Sequence, residues 1–90
     1  MTDKDVEFSE EAKLEFHKGK CFMEFIGKAD MFWDDFERQI ELIKQFPVAF
    51  QIRYRNVRIV PLEKFSYTNH YILKLKSILI YRILNQSQDF

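Results

Sequence analysis

The stretch Val57-Arg58-Ile59-Val60-Pro61-Leu62-Glu63-Lys64-Phe65-Ser66-Tyr67-Thr68-Asn69-His70-Tyr71-Ile72-Leu73 decides the fold, together with Ile78-Leu79-Ile80-Tyr81-Arg82-Ile83-Leu84-Asn85-Gln86-Ser87-Gln88-Asp89 beyond a lysine-flanked turn. Its apolar residues recur at every second position, the period of a strand that turns one face to a core. Phe65, Tyr67, Asn69, Tyr71 and Leu73 share one face, and Val57 and Ile59 alternate with Arg58. Ile78 to Leu84 is nearly all apolar, the pattern of a strand buried on both faces. Pro61 cannot donate a ladder hydrogen bond, which places it at a strand edge, bulge or end. Upstream, Phe50, Ile52 and Tyr54 alternate with Gln51, Arg53 and Arg55.

Before Pro47 the period is helical. Ser9 is a suitable N-cap, and Glu10 and Glu11 sit where a helix dipole favours acids. Ala12, Phe16, Met23 and Ile26 predict a helix over about 10–26 that Gly27 stops and Gly19 weakens in its middle. Phe32, Phe36, Ile40 and Ile43 predict a second helix, with Asp34, Asp35, Arg38 and Glu41 on its solvated face. Phe46 precedes a proline and is steered out of helical geometry, so that helix ends there. Gly-Lys-Ala-Asp is a short connection, as in an antiparallel helical hairpin. With Val6 and Phe8 as a short first strand, the order is β-α-α-β-β-β. This is an α+β fold, a helical hairpin on a three- to four-stranded antiparallel sheet.

With 90 residues the chain is expected to be one domain, 1–90. A domain of this size buries only about 60–65% of its unfolded surface, so its core must be dense in large side chains. Ten Phe, four Tyr and one Trp supply that density, and two Gly and two Pro leave little for linkers. Cys21 is the only cysteine, so the chain can form neither an internal disulfide nor a cysteine metal cluster of its own, and a reducing cytoplasm is the natural compartment. The acidic start is unlike a signal peptide, and no apolar run approaches the ~20 residues of a membrane span. The glycines are too far apart for a phosphate loop, and Asp34-Asp35 lacks the spaced oxygens of a calcium loop.

Net charge is zero but unevenly spread. Residues 1–46 hold twelve acids and seven bases, whereas 47–90 hold two acids, Glu63 and Asp89, and seven bases: Arg53, Arg55, Arg58, Lys64, Lys74, Lys76 and Arg82. Such asymmetry can steer a polyanion or an acidic partner to one face, or the two halves can simply neutralise each other.

Three features together resemble the RelE/ParE superfamily, the toxins of bacterial type II toxin–antitoxin pairs. One is the element order. Another is a strand Arg followed by an aromatic-Pro-Tyr motif and a strand tyrosine, here Val57-Arg58, Phe65-Ser66-Tyr67 and His70-Tyr71. The third is a last apolar strand running into a His-x-x-Arg-(Asp/Asn)-Pro tail, here Ile80 to Phe90. The resemblance implies a toxin for plasmid or chromosome maintenance, held inactive by a cognate antitoxin, as a homodimer or a hetero-oligomer with it. RelE-like members cleave mRNA on the ribosome; ParE-like members poison DNA gyrase without a hydrolytic site.

Cleaving RNA through its 2′-hydroxyl needs a base, positive charge for the phosphorane and an acid for the departing oxygen. By the resemblance, Thr68 stands where RelE-like enzymes carry an Arg, and Asn85, Ser87 and Gln88 stand where His and Arg would. None of these groups titrates near neutral pH. His70 is out of phase with Tyr67 and Tyr71, so its ordinary reading is a polar side chain facing helix or solvent; His17 reads as a surface residue. The resemblance is therefore closer to ParE, no catalytic residue is assigned, and no cofactor or metal is called for. Candidates for target binding are Arg53, Arg55, Arg58, Tyr67, Tyr71, Arg82, Asn85 and Gln88, with the antitoxin covering the sheet and the helix-hairpin groove. Ser66 and Phe90 replace the family's prolines, which leaves open a diverged toxin-fold interaction module beside the gyrase-binding and ribosomal endonuclease readings.

Overall fold

The computed structural model describes residues 5–86. The chain runs β1 (Asp5–Phe8), α1 (Glu10–Phe25), α2 (Ala29–Gln45), β2 (Ile52–Tyr54), β3 (Val57–Pro61), β4 (Tyr67–Leu73) and β5 (Ser77–Asn85). The strands form one five-stranded sheet in the order β1-β5-β4-β3-β2. The α+β class and element order agree with the sequence reading, but the sheet is mixed and has more strands than expected. β1 joins it parallel to β5, from Asp5 opposite Ser77 to Phe8 opposite Ile80. The chain folds back at Arg55 and Asn56 between β2 and β3, which supplies the additional strand. Arg55 adopts φ 49°, in the left-handed region that makes this reversal tight.

The Ser9 hydroxyl caps α1 by accepting the Ala12 amide at 3.0 Å, and Gly27, at φ 74°, ends it. Ala12 and Met23 are buried, whereas Ile26 lies past the last turn and is exposed. Gly19, expected as a weak point, is a contact point instead. A Cβ there would meet Phe32 Cζ and the Tyr67 hydroxyl, each at 3.3 Å.

Phe32, Phe36 and Ile43 of α2 enter the core, with Ile40 packed against it. The Phe32 ring is the hub, 5.8 Å from Phe16, 5.6 Å from Phe65 and 5.2 Å from Tyr67 between centroids. Asp35 corrects the expectation of a solvated face. It is fully buried and accepts the amides of Glu63 and Lys64 at 3.2 and 2.7 Å. A carboxylate buried in this way offsets its desolvation through charge-assisted bonds, here by organising the turn between β3 and β4.

β5 also departs from its reading. Ile78, Ile80 and Ile83 are buried in the core, while Leu79 and Leu84 are only partly covered and Tyr81 is exposed. The cause is a bulge: Tyr71 pairs with Ile80 and His70 with Arg82, so Tyr81 is an extra residue on β5. It shifts the core-facing parity by one, which in sequence looks like a continuous apolar run.

Candidate basic cleft on the open sheet face

The helices cover one face of the sheet; Tyr54, Ile72, Tyr81, Arg82 and Leu84 lie on the other, around a cleft of about 560 Å³. The bulge puts Tyr81 and Arg82 side by side at the cleft, since two residues of β5 there oppose the single His70 of β4. Arg55 and Asn56, from the tight β2–β3 reversal, close the far end. Of the sequence-predicted candidates, the cleft gathers Arg55 and Arg82. Arg53 is exposed on the edge strand β2.

His70 lies on the opposite face from Tyr67 and Tyr71, as its phase indicated, but it is nearly buried at 6% exposure. Tyr54 packs over it. The Tyr54 hydroxyl is 3.0 Å from Nδ1, and Thr68 Oγ1 is 3.0 Å from Nε2. Burial, reinforced by the charge of Arg82 and opposed by Glu15, holds its pKa below the ordinary imidazole value. Both ring nitrogens are engaged by hydroxyls and the lowered pKa makes the ring a weaker base, so it is poorly placed to take a proton from a substrate.

Arg82 reaches across the strand edge to Glu15 of α1, donating from Nε at 2.8 Å and also from Nη2. Hydrogen bonding to this carboxylate raises its pKa further above the range in which it could titrate. Arg53 and Arg55 have no salt-bridge partner among the described residues. The cleft therefore presents Arg55, without an ion-pair partner among the described residues, and Arg82, paired with Glu15, beside two tyrosines, and the Arg55 end suits a phosphate or an acidic side chain.

The other candidates have structural contacts. Arg58 Nη1 donates to the Phe50 carbonyl at 2.6 Å, and the fully buried Tyr71 donates to the Pro47 carbonyl at 2.5 Å. Together they tie the chain between α2 and β2 to the sheet. Burial raises the pKa of both Tyr71 and Tyr67, against smaller opposing effects of Arg58 and Asn85, so both hydroxyls stay neutral. Tyr67 and Asn85, whose amide lies 3.4 Å from the tyrosine hydroxyl, line a separate groove with Gly19 and Phe22 on the helical side. Gln88 lies outside the described residues. Tyr54, Tyr81 and Glu15 escaped the sequence reading, because only the β2–β3 reversal, the bulge and the β5 edge bring them to the site.

No protein-family model matches the sequence, and no curated protein does. The fold has clear relatives among solved structures. A chain of the chromosomal ParDE TA system from P. aeruginosa superposes with a TM-score of 0.76 at 19% identity, over 91% of this chain and 95% of that one. The chain has the RelE/ParE toxin fold. A chain of the E. coli DinJ-YafQ toxin-antitoxin complex shares it at a TM-score of 0.64 and 13% identity, over 99% of both chains. No helix of the RelE/ParE-like domain, among the described residues, is long and apolar enough to cross a membrane.

Proposed function

We propose that the chain is the toxin of a type II toxin–antitoxin pair, neutralised by an antitoxin and acting by binding a macromolecular target such as DNA gyrase. The observation that carries this reading is the likeness, over nearly the full length of both chains, to a component of a ParDE system. The cleft supports binding over hydrolysis, because His70 is shielded and Arg82 is engaged by Glu15. Inhibition by binding needs a shaped basic surface, which Arg53, Arg55 and the tyrosines provide. The test is induced expression with and without any short reading frame found beside its gene, followed by assays of gyrase supercoiling and of mRNA integrity in a translating extract. Growth arrest relieved by the neighbour, with supercoiling inhibited and mRNA intact, is the expected result; harmless expression sinks the toxin reading.

The second reading is a ribosome-dependent endonuclease, for which the cleft would offer Tyr54 and Arg82 beside the shielded His70. It requires mRNA cleavage in the same extract and its loss on His70→Gln.

A further inference from the structure

A chain of hydrogen bonds crosses the open sheet face and ends in the basic cleft. Gln86 donates from Nε2 to Thr68 Oγ1 at 3.1 Å, Thr68 Oγ1 lies 3.0 Å from His70 Nε2, and His70 Nδ1 lies 3.0 Å from the Tyr54 hydroxyl. Gln86 is itself anchored, because its main-chain N–H donates to the Ser66 carbonyl at 2.6 Å.

Each member constrains the next. The Thr68 oxygen accepts from Gln86 and has one proton of its own to give, and His70 Nε2 is its acceptor. A neutral imidazole accepts at one nitrogen and donates from the other, so the ring proton stands on Nδ1 and is donated to the Tyr54 oxygen. In the opposite tautomer Thr68 would receive two donors, and its own proton would have no acceptor among the described residues. Tyr54 therefore keeps its phenolic proton for a ligand. It has no other hydrogen-bond partner among the described residues.

Tyr54 and Arg55 are consecutive and line the same cleft, where an unspent O–H and an unpaired guanidinium fit an oxyanion. The available charge is small, since Arg82 is already paired with Glu15. A nucleic-acid backbone is held by several basic groups along a track, whereas a single carboxylate needs one guanidinium and a donor beside it. Ile72, Tyr81 and Leu84 give the cleft apolar walls for the stem of an acidic side chain.

We propose that Gln86, Thr68 and His70 fix Tyr54 as a hydrogen-bond donor, and that Tyr54 and Arg55 together take a carboxylate from an acidic segment of a protein partner. Tyr54 and Arg55 touch the ligand, while Thr68 and His70 are positioning residues. This role rests on the cleft being a binding surface, but its test needs neither growth arrest nor the cellular target, so the two can fail separately.

The test uses the full chain with nitrogen-15-labelled histidine at about pH 8, where an imidazole of ordinary pKa, about 6.5, is neutral. Long-range proton–nitrogen correlation spectra should show a protonated Nδ1 and a bare Nε2 on His70. N-acetylglutamate α-amide, a monoanion, is then titrated in and followed by chemical shifts. Tyr54→Phe should weaken its binding roughly tenfold or more, the expectation for a lost hydrogen bond to a charged group. Thr68→Val should move the ring proton away from Nδ1 and weaken binding without touching the ligand. Thr68→Ser keeps the hydroxyl and should preserve both, with circular dichroism showing that every variant folds. A proton on Nε2 in the parent chain overturns the proposal, because Tyr54 then donates to His70. So does the absence of binding, or equal binding by Tyr54→Phe. Tighter binding of dimethyl phosphate than of the glutamate probe also overturns it and assigns the cleft to nucleic-acid phosphates.

Discussion

Glu15 of α1 accepts the main-chain N–H of Ile83 at 2.7 Å, while its second oxygen holds Arg82. A single carboxylate thus stands where a neighbouring strand would, because β1 pairs with β5 only as far as Ile80. Just before it, the Ser9 hydroxyl donates to the Tyr81 carbonyl at 2.6 Å, so α1 closes the β5 edge from its first turns. Glu15→Ala leaves a strand amide and a guanidinium without their partner, and a loss of about 1–3 kcal/mol is expected. Glu15→Gln keeps an acceptor for Ile83 and should lose clearly less. Urea denaturation midpoints of the two variants check this, and equal losses would mean that the Ile83 bond contributes nothing.

Gly19 lets α1 approach the sheet. Alanine there gains about 1 kcal/mol of helix propensity, but its methyl group meets Phe32 and Tyr67 at 3.3 Å inside a closed aromatic cluster. Overpacking of this kind typically costs about 1–3 kcal/mol, so Gly19→Ala should destabilise the protein. Removing the opposing hydroxyl with Tyr67→Phe should reduce that penalty, which a double-mutant cycle in thermal denaturation measures. A purely additive cycle would show that the tyrosine oxygen is not the obstacle.

The element order was legible because period-two and period-3.6 patterns change sharply at Pro47, and because Ser9 and Gly27 mark the bounds of α1. The mixed sheet was not. Val6 and Phe8 alternate like any strand, and nothing in four residues says that their partner is β5 or that the pairing is parallel. The bulge at Tyr81 was hidden for a related reason: an inserted residue inside an apolar segment leaves no break in hydropathy, only a change of facing. Asp35 read as solvated because its partners, the amides of Glu63 and Lys64, are main-chain groups distant in sequence. At the site, Arg55 and Arg82 were found as basic residues, but their neighbours Tyr54 and Tyr81 depend on register, which sequence periodicity does not fix.

Asn69 is fully buried, paired in register with Val60 and Ile83. Neither its amide oxygen nor its amide nitrogen has a hydrogen-bond partner. A buried polar group left unsatisfied costs about 1–3 kcal/mol, and replacing it with an apolar group of similar shape removes that cost. Asn69→Leu should therefore raise the melting temperature, with the gain limited by the repacking that the branched side chain needs. A lower melting temperature would show that the amide is satisfied in solution by an ordered water.

His70 gives the fold a pH dependence whose sign follows from its surroundings. Burial first, and Arg82 second, depress its pKa, with Glu15 pulling weakly the other way. The unfolded chain, with an imidazole pKa of about 6.5, binds the proton more readily than the folded one. Stability from the neutral ring is then fully present above about pH 6.5 and is lost as pH falls through that value toward the depressed folded pKa. His70→Gln keeps a polar partner for Tyr54 and Thr68 but does not titrate. The difference in melting temperature between the parent chain and this variant should shrink on going from about pH 7.5 to about pH 5.5, every other side chain being common to the two proteins. A difference that grows on acidification would mean that the folded state holds the imidazolium, with Glu15 outweighing both burial and Arg82.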